Sequence, residues 1–535
     1  MDENAKIGLE NHPKKKTIND IPDMNGVKGK AKKGLIFVLL WIAAAVMAFN
    51  FSHVTDIDTF FHLSVGRDIM ENGFTTVDPF SMHKLNFSSQ QWLSDVVFFL
   101  IYKFFGFTGL YVFQILVAAL IIFVVYKINC LVSDNKRYLS LFLAIASVWL
   151  FQNTFIRIRP QIFTILLFAL EIYILETYLR KRNFKALLFL PVLCVLLANF
   201  HIGAFPMFFV LMLPYLADSL VKADFFKIRL GYFKKDGSKL FKTLLMFFIP
   251  LIPLCIFNPY GVKKILYFTS MFNSEITKNI VEWKSPNFGS NLGAIISLSL
   301  IIVTVIVIIQ FALTEKRFTV KSILMFLGLT IMTLYAVRFY TYYMTFVGLI
   351  LLEKLGTDFG KESKRIKAKK AAEENTFGEK TARVLESKPA AGVLVLIIIA
   401  GITIKTVLGM WQTTLFQLYP VKAAEYIKNN LDYKNIRLFN DYDDGGFLMF
   451  NGIKVFIDSR ADLYTSQFNS GCTVLKDYDE IMVNPENYEE IFKKYDFQYI
   501  LVNPSLNYDL YQYLRKDINY RIVTDDEYYI LYKRS

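Results

Sequence analysis

The sequence predicts a polytopic α-helical membrane protein, with about eleven transmembrane helices and a small C-terminal extracytoplasmic α/β domain. Three observations carry this. Apolar residues make up 54% of the 535-residue chain. They are bunched into runs of roughly 17 to 25 residues between Leu35 and Met410, each long enough to cross a hydrocarbon core about 30 Å thick at about 1.5 Å per residue. Lys/Arg-rich segments recur at every second gap between the runs, as the positive-inside rule requires of cytoplasmic loops. After Pro420 the pattern changes to short apolar strands alternating with amphipathic helices. The net charge of +14 first suggests a nucleic-acid binder, but the bunched hydrophobicity excludes a soluble one, and equally a disordered chain. Cys130, Cys194, Cys255 and Cys472 have neither paired nor metal-site spacing, which argues against a disulfide scaffold.

Residues 1–33 form a Lys-rich tail, read as cytoplasmic, and the membrane part runs over 34–410. The run at 35–51 is read as an uncleaved first span. Further spans are expected at 108–132, 138–153, 161–179, 186–200, 204–220, 241–257, 291–313, 322–337, 339–353 and 391–410. The basic gaps 134–137, 180–185, 222–242, 315–321 and the long loop 355–390 then share the cytoplasmic side. Residues 92–105 are too short to span and would reverse that parity, so they are expected as an interfacial helix in a first outer loop, 52–107. The tail 411–535 falls outside and is acidic, with 14 Lys/Arg against 19 Asp/Glu. The expected location is the cytoplasmic membrane.

Ionisable residues beside a span are costly unless paired or wet, so their positions are informative. On the outer side stand Asp56, Asp58, His62, Arg67 and Asp78 of the first loop; Arg157, Arg159 and Gln161 between the third and fourth spans; Asn199 and His201; Glu282; and Arg338. Thr59 to Met70 has the apolar spacing of a helix lying in the interface, with Asp56 and Asp58 just before its start. Arg157 and Arg159, two apart, would point the same way on an extended segment and face one anion. Taken singly, each has a plainer use: a helix cap for either Asp, a headgroup anchor for either Arg, a packing role for His201. Their gathering on one face points instead to a cavity opening to lipid.

The first loop reads D-I-D-T-F-F-H-L, then G-R, G, D-P-F-S and W-L, over Asp56, Asp58, His62, Leu63, Gly66, Arg67, Gly73, Asp78 to Ser81 and Trp92-Leu93. With R-P-Q at Arg159 to Gln161, N-x-H-x-G at Asn199 to Gly203 and N-P-Y-G at Asn258 to Gly261, it resembles bacterial members of the GT-C superfamily of membrane glycosyltransferases. The superfamily includes the lipid-A aminoarabinose and protein mannosyl transferases. The resemblance implies a polyprenyl-phosphate-linked sugar donor, a glycan, lipid or protein acceptor, and an acidic residue after the first span as general base. Asp58 is the candidate base, Asp56 a positioning or second acid, and Arg157, Arg159 and Arg338 the candidate donor-phosphate ligands. His62, Arg67, Asp78, Gln161, Asn199, His201 and Glu282 would line the same cavity. The better known relatives carry an adjacent acidic pair where this chain has D-I-D. No cofactor is certain, and since metal dependence varies in the superfamily a divalent metal stays open.

In the tail, 421–430 reads as a helix, I-R-L-F-N and K-V-F-I-D as buried strands, then a helix near 488–494, the strand Q-Y-I-L-V-N, a helix near 506–515, and final strands R-I-V-T and Y-Y-I-L-Y-K. The alternation predicts a mostly parallel sheet. Asp441 and Asp443 follow one strand and Asp458 and Arg460 the next, where open α/β sheets bind ligands, so these four are the expected acceptor side. Two other functions remain open from the sequence: a transporter or flippase of a lipid-linked glycan, which would be expected to show inverted repeats, and a non-catalytic assembly protein.

Overall fold

The computed structural model describes residues 56–133, 135–221, 223–225, 228–230, 237–261, 281–313, 319–353 and 419–535, together with residue 38. The basic tail, the first expected span at 35–51 apart from residue 38, the loop 355–390 and the last expected span at 391–410 lie outside the described residues.

The chain is mostly helical. Helix α1, Ile57–Asn72, is started by Asp56, whose Oδ1 accepts the backbone N–H of Asp58 at 3.1 Å. Asp58 therefore sits in the first turn of the helix, not before it as the spacing suggested. Helix α2, Trp92–Val132, is broken at Gly106 (φ 63°, ψ −162°). The break divides it into the short helix expected at 92–105 and the span expected after it, with Phe104 and Phe105 turned outward at the joint. The bundle continues with α3 (Arg137–Phe155), α4 (Gln161–Lys181), α5 (Leu190–Phe200), α6 (Phe205–Leu220), α7 (Gly237–Leu251), α8 (Asn291–Leu313), α9 (Val320–Tyr335) and α10 (Tyr340–Leu352).

By length and composition, five helical segments among the described residues can cross a membrane, and four apolar helices are shorter. Helix α10 is buried along its whole length and forms the centre of the bundle. Helix α8 turns Leu298, Ile301, Val305 and Ile308 outward, an apolar stripe suited to hydrocarbon. At the end of α4 away from Gln161, Lys321 Nζ donates to Glu176 Oε1 at 2.6 Å and Glu353 Oε1 at 2.7 Å, and Arg180 pairs with both glutamates. Asp218 Oδ1 accepts the N–H groups of Val320 and Lys321 at the start of α9. This network fastens α4, α6, α9 and α10 together.

The tail begins with α11 (Val421–Asn430) and has a four-stranded sheet of β1 (Leu438–Phe439), β2 (Tyr499–Val502), β3 (Tyr520–Asp525) and β4 (Ile530–Arg534), in the order β1-β2-β4-β3. Only β1 and β2 run parallel; β4 is antiparallel to both its neighbours. The sheet is thus not mostly parallel. A short turn over Asp526 to Tyr529, closed by Asp526 Oδ1 accepting two backbone N–H groups, joins the last two strands, and so tight a connection permits only antiparallel pairing. Helices α12 (Gly445–Phe450), α13 (Val474–Val483), α14 (Tyr488–Tyr495) and α15 (Tyr508–Leu514) pack around it.

K-V-F-I-D is not a strand of this sheet. Val455 instead bridges Ser81 of the first loop, with Met82 N–H to Val455 O at 2.9 Å and Val455 N–H to Phe80 O at 3.2 Å. Phe61 and Val65 of α1 share a core with Ala424, Ile427, Leu438 and Leu448. The first loop and the tail thus fold as one body.

Replacing Lys321 with alanine leaves Glu176 and Glu353 buried with Arg180 as their one remaining cation among the described residues. The expected cost is about 3–5 kcal/mol, read as a lower melting temperature of the solubilised protein; an unchanged melting curve would mean the network does not hold the bundle.

Candidate functional site

The site forms where the start of α1 meets the start of α4. Arg159 ends the short connection into α4 and donates through Nε to Asp56 Oδ1 at 2.7 Å, through one terminal nitrogen to Asp58 Oδ2 at 3.0 Å, and through the other to Glu282 Oε1 at 3.1 Å. Arg157 reaches the other oxygen of Asp56. The two arginines do face one anion, as their spacing predicts, and that anion is Asp56. Burial alone would raise the Asp56 carboxyl, but Arg159 and Arg157 outweigh it and hold it below the ordinary carboxylate range. Asp58 Oδ1 has no hydrogen-bond partner among the described residues. Three carboxylates stand against two guanidinium groups, so the cluster carries one surplus negative charge.

Beside Glu282, Trp283 lies under the guanidinium of Arg338, 4.0 Å from the ring centroid. Arg338 pairs with no carboxylate among the described residues. Next to it, His201 Nδ1 bonds Thr164 Oγ1 at 2.7 Å on the first turn of α4. Burial first, then the charge of Arg338, pushes the His201 imidazole down to about 3, so it is neutral. Gln161 opens α4 with its Oε1 buried and unpartnered among the described residues.

The tail supplies the third wall. Gly446 lies so close to α1 that a Cβ there would stand 2.8 Å from Ile57 O, which only glycine permits. That contact brings the turn before α12 over Asp58. Asp443, open at its surface, has its carboxyl pushed up to about 6 by partial burial and then by Asp441, Asp58 and Asp56. Asp441 is held by Asn507 Nδ2 at 2.8 Å and Tyr478 Oη at 3.1 Å, and its Oδ1 accepts the Asp443 N–H. Tyr442, whose hydroxyl donates to Ser459 O, is pushed up by burial and by Asp58 among other carboxylates.

Other expected site residues stand elsewhere. His62 donates or accepts through Nδ1 at 2.6 Å from Asp95 Oδ1, inside the α1–α2 contact. Arg67 donates to Phe450 O at 3.2 Å where α1 meets α12. Asn199 Oδ1 accepts Trp92 Nε1–H at 2.8 Å and its amide donates to Phe257 O, tying α5 to α2 and to the turn before Asn258. Asp78, Asp458 and Arg460 are buried in a single ion triad, Arg460 bonding Asp78 Oδ1 at 2.7 Å and both oxygens of Asp458. The sequence placed Asp458 and Arg460 on a rim; because the segment pairs with the first loop instead of its own sheet, they point inward and hold the loop to the tail.

The sequence reading missed Asp95, Trp283, Tyr442 and Thr164 as members of this region. Asp95 had a signal, a lone acid in the apolar run W-L-S-D-V-V-F-F, whereas nothing local marks the other three. The surplus carboxylate charge suits a divalent cation, with Asp58 and Glu282 as its available ligands. Among the described residues, however, no group of three or more His, Cys, Asp or Glu is gathered closely enough to hold a metal.

No family model matches the sequence, and no curated protein matches it significantly. Solved structures do match in shape. The chain aligns over 94% of its length with 74% of the archaeal oligosaccharyltransferase AglB from Archaeoglobus fulgidus in complex with an inhibitory peptide and a dolichol-phosphate, at a TM-score of 0.54 and 11% identity. It aligns over 93% of its length with 98% of ArnT from Cupriavidus metallidurans bound to undecaprenyl phosphate, at 0.52 and 12% identity. The fold is the one these two structures share. An Archaeoglobus fulgidus oligosaccharyltransferase in complex with Zn and sulfate aligns over 93% of this chain and 73% of its own, at a TM-score of 0.53 and 11% identity. At such identities the likeness concerns the fold alone, and the site's chemistry rests on this chain's own residues.

Two tests follow from the tail contact. Gly446→Ala forces α12 away from Ile57 and should cost about 1–3 kcal/mol, seen in thermal melting. Asp443 binds its proton more tightly when folded, at about 6 against an ordinary 3.8, so this stabilisation is full below 3.8 and is lost as pH rises through about 6. Asp443→Asn should therefore melt progressively higher relative to the parent as pH is raised across that window; parallel curves would contradict the placement of Asp443.

Proposed function

We propose that the chain is a membrane glycosyltransferase that moves a sugar from a polyprenyl-phosphate donor to a glycan, lipid or protein acceptor at the outer face of the cytoplasmic membrane. The observation that carries this is Asp58: one oxygen is fixed by Arg159 and the other has no hydrogen-bond partner among the described residues, beside the carboxylate-lined turn of the tail. The GT-C fold supports the reaction class, since ArnT has been seen with undecaprenyl phosphate and AglB with dolichol-phosphate.

In this reading Asp58 takes the proton of the acceptor hydroxyl as its oxygen attacks the sugar C1, and the C1–O bond breaks with its electron pair leaving on the phosphate. Asp56 positions Arg157 and Arg159 rather than reacting. With both of those arginines committed to carboxylates, Arg338, which pairs with no carboxylate among the described residues, is the first ligand for the departing phosphate. Asp441 and Asp443 present acceptors to the incoming hydroxyl. A bound divalent cation would add charge neutralisation for the donor phosphate.

The test is transfer of labelled sugar, in lipid nanodiscs, from polyprenyl-phosphate donors extracted from producing cells. Asp58→Asn should lower the rate about 10²- to 10⁴-fold with undecaprenyl phosphate binding retained, whereas full activity would sink the base assignment. Arg338→Ala should weaken undecaprenyl phosphate binding about 10-fold or more; unaltered binding would remove Arg338 from the donor site.

A further inference from the structure

The arginines of the site are held in two different ways. Arg159 reaches Asp56, Asp58 and Glu282, and Arg157 reaches Asp56, so the charge of both is met inside the protein. Arg338 is held by a ring instead: its Cζ stands 4.0 Å from the centroid of Trp283, and no carboxylate pairs with it among the described residues. The two kinds of contact leave different things behind. A carboxylate fixes a guanidinium by neutralising it, whereas the face of an indole attracts it through the ring quadrupole and leaves its N–H donors and its net charge to a further partner.

The ring is anchored on both sides along the chain. One residue before Trp283, Glu282 Oε1 accepts from Arg159 at 3.1 Å. One residue after it, Lys284 O accepts the Val337 N–H at 3.1 Å, and Ser285 Oγ donates to Tyr335 O at 3.2 Å. Phe339 meets the indole edge-on, with ring centroids 6.4 Å apart. The short turns Val281–Trp283 and Val337–Phe339 are thereby held side by side, which sets the indole against the guanidinium. His201, on the far side of Arg338, is neutral and adds no charge of its own.

We propose that Trp283 is the positioning residue of the donor-phosphate site: its face fixes the Arg338 guanidinium without neutralising it, so that Arg338 keeps its charge for a lipid-linked phosphate. This rests on Arg338 being the phosphate ligand. With one face of the guanidinium covered by the indole, phosphate oxygens are received at the N–H edge, where directional hydrogen bonds form. The stack therefore also confers selectivity, favouring a polyprenyl chain that ends in an anion over the same chain ending in a neutral hydroxyl.

The experiment measures binding of undecaprenyl phosphate, and of undecaprenol as its uncharged counterpart, to the full chain in nanodiscs. Trp283→Leu should weaken undecaprenyl phosphate about 3- to 30-fold and leave undecaprenol unchanged, and Trp283→Phe, which keeps a ring, should recover most of the loss. Tryptophans of increasing fluorine content placed at position 283 alone keep the form of the ring while draining its negative face, and they serve equally if Trp283→Leu does not fold. Affinity for undecaprenyl phosphate should fall stepwise along that series, and the series should have no effect in an Arg338→Ala background. Equal losses for the phosphate and the alcohol, or no trend with fluorine content, overturn the positioning role while Arg338→Ala still weakens binding. Unaltered undecaprenyl phosphate binding in Arg338→Ala would instead overturn the reading beneath it.

Discussion

The guanidinium group of Arg159 reaches carboxylates from separate stretches of chain, Asp56 and Asp58 at the start of α1 and Glu282 in the segment before α8. A charge at this depth is tolerable only when its hydrogen bonds are met, so the three segments have to converge. Once they do, the rest is constrained. The first turn of α1 is fixed against the first turn of α4, Trp283 is set beside Glu282, and Arg338 is stacked on Trp283. Arg159 itself is held more firmly protonated than an ordinary arginine; burial opposes this, but Asp58, Asp56 and Glu282 prevail. Its contribution is therefore mostly to geometry, with little charge left over for a ligand.

The second constraint is the way the first loop is built into the tail. Val455 pairs with Ser81, Arg460 is shared between Asp78 and Asp458, and Asn469 bonds both backbone groups of Asn86. His83 adds a bond from Nε2 to Phe456 O. Residues almost four hundred positions apart thus make one hydrophobic core. Because α12 packs directly on α1, the acidic turn at Asp441 to Asp444 is placed relative to Asp58 by backbone contact rather than by flexible side chains.

Much of this could be read from the sequence. The apolar runs located the helices from α2 to α10, since hydrocarbon imposes a length and composition that few other roles share. Asp56, Asp58, Arg157, Arg159 and Glu282 were gathered on one face by counting crossings alone. What could not be read was pairing over distance. Val455 is as good a strand residue as Val502, and nothing near it in the chain says that its partner is Ser81 rather than a strand of the tail. The same blindness put Asp458 and Arg460 at an open rim, and concealed that Asp95 would meet His62 and Ser89. Helix α12 escaped because N-D-Y-D-D-G-G reads as a turn; its first turn packs on α1 through Gly446.

The contact between Gly446 and Ile57 has a consequence in time. A chain is made from its N-terminus, so Asp58 and the arginines exist long before the segment that covers them. Contacts of such sequence separation are slow to form and come late in folding. Until residue 446 has been synthesised and docked, the candidate base faces no acidic turn and the first loop lacks the partner strand for Ser81. The arrangement therefore delays assembly of the cluster with its acidic cover until residue 446 has been made, and a product truncated before it would carry the charged cluster without the acidic turn.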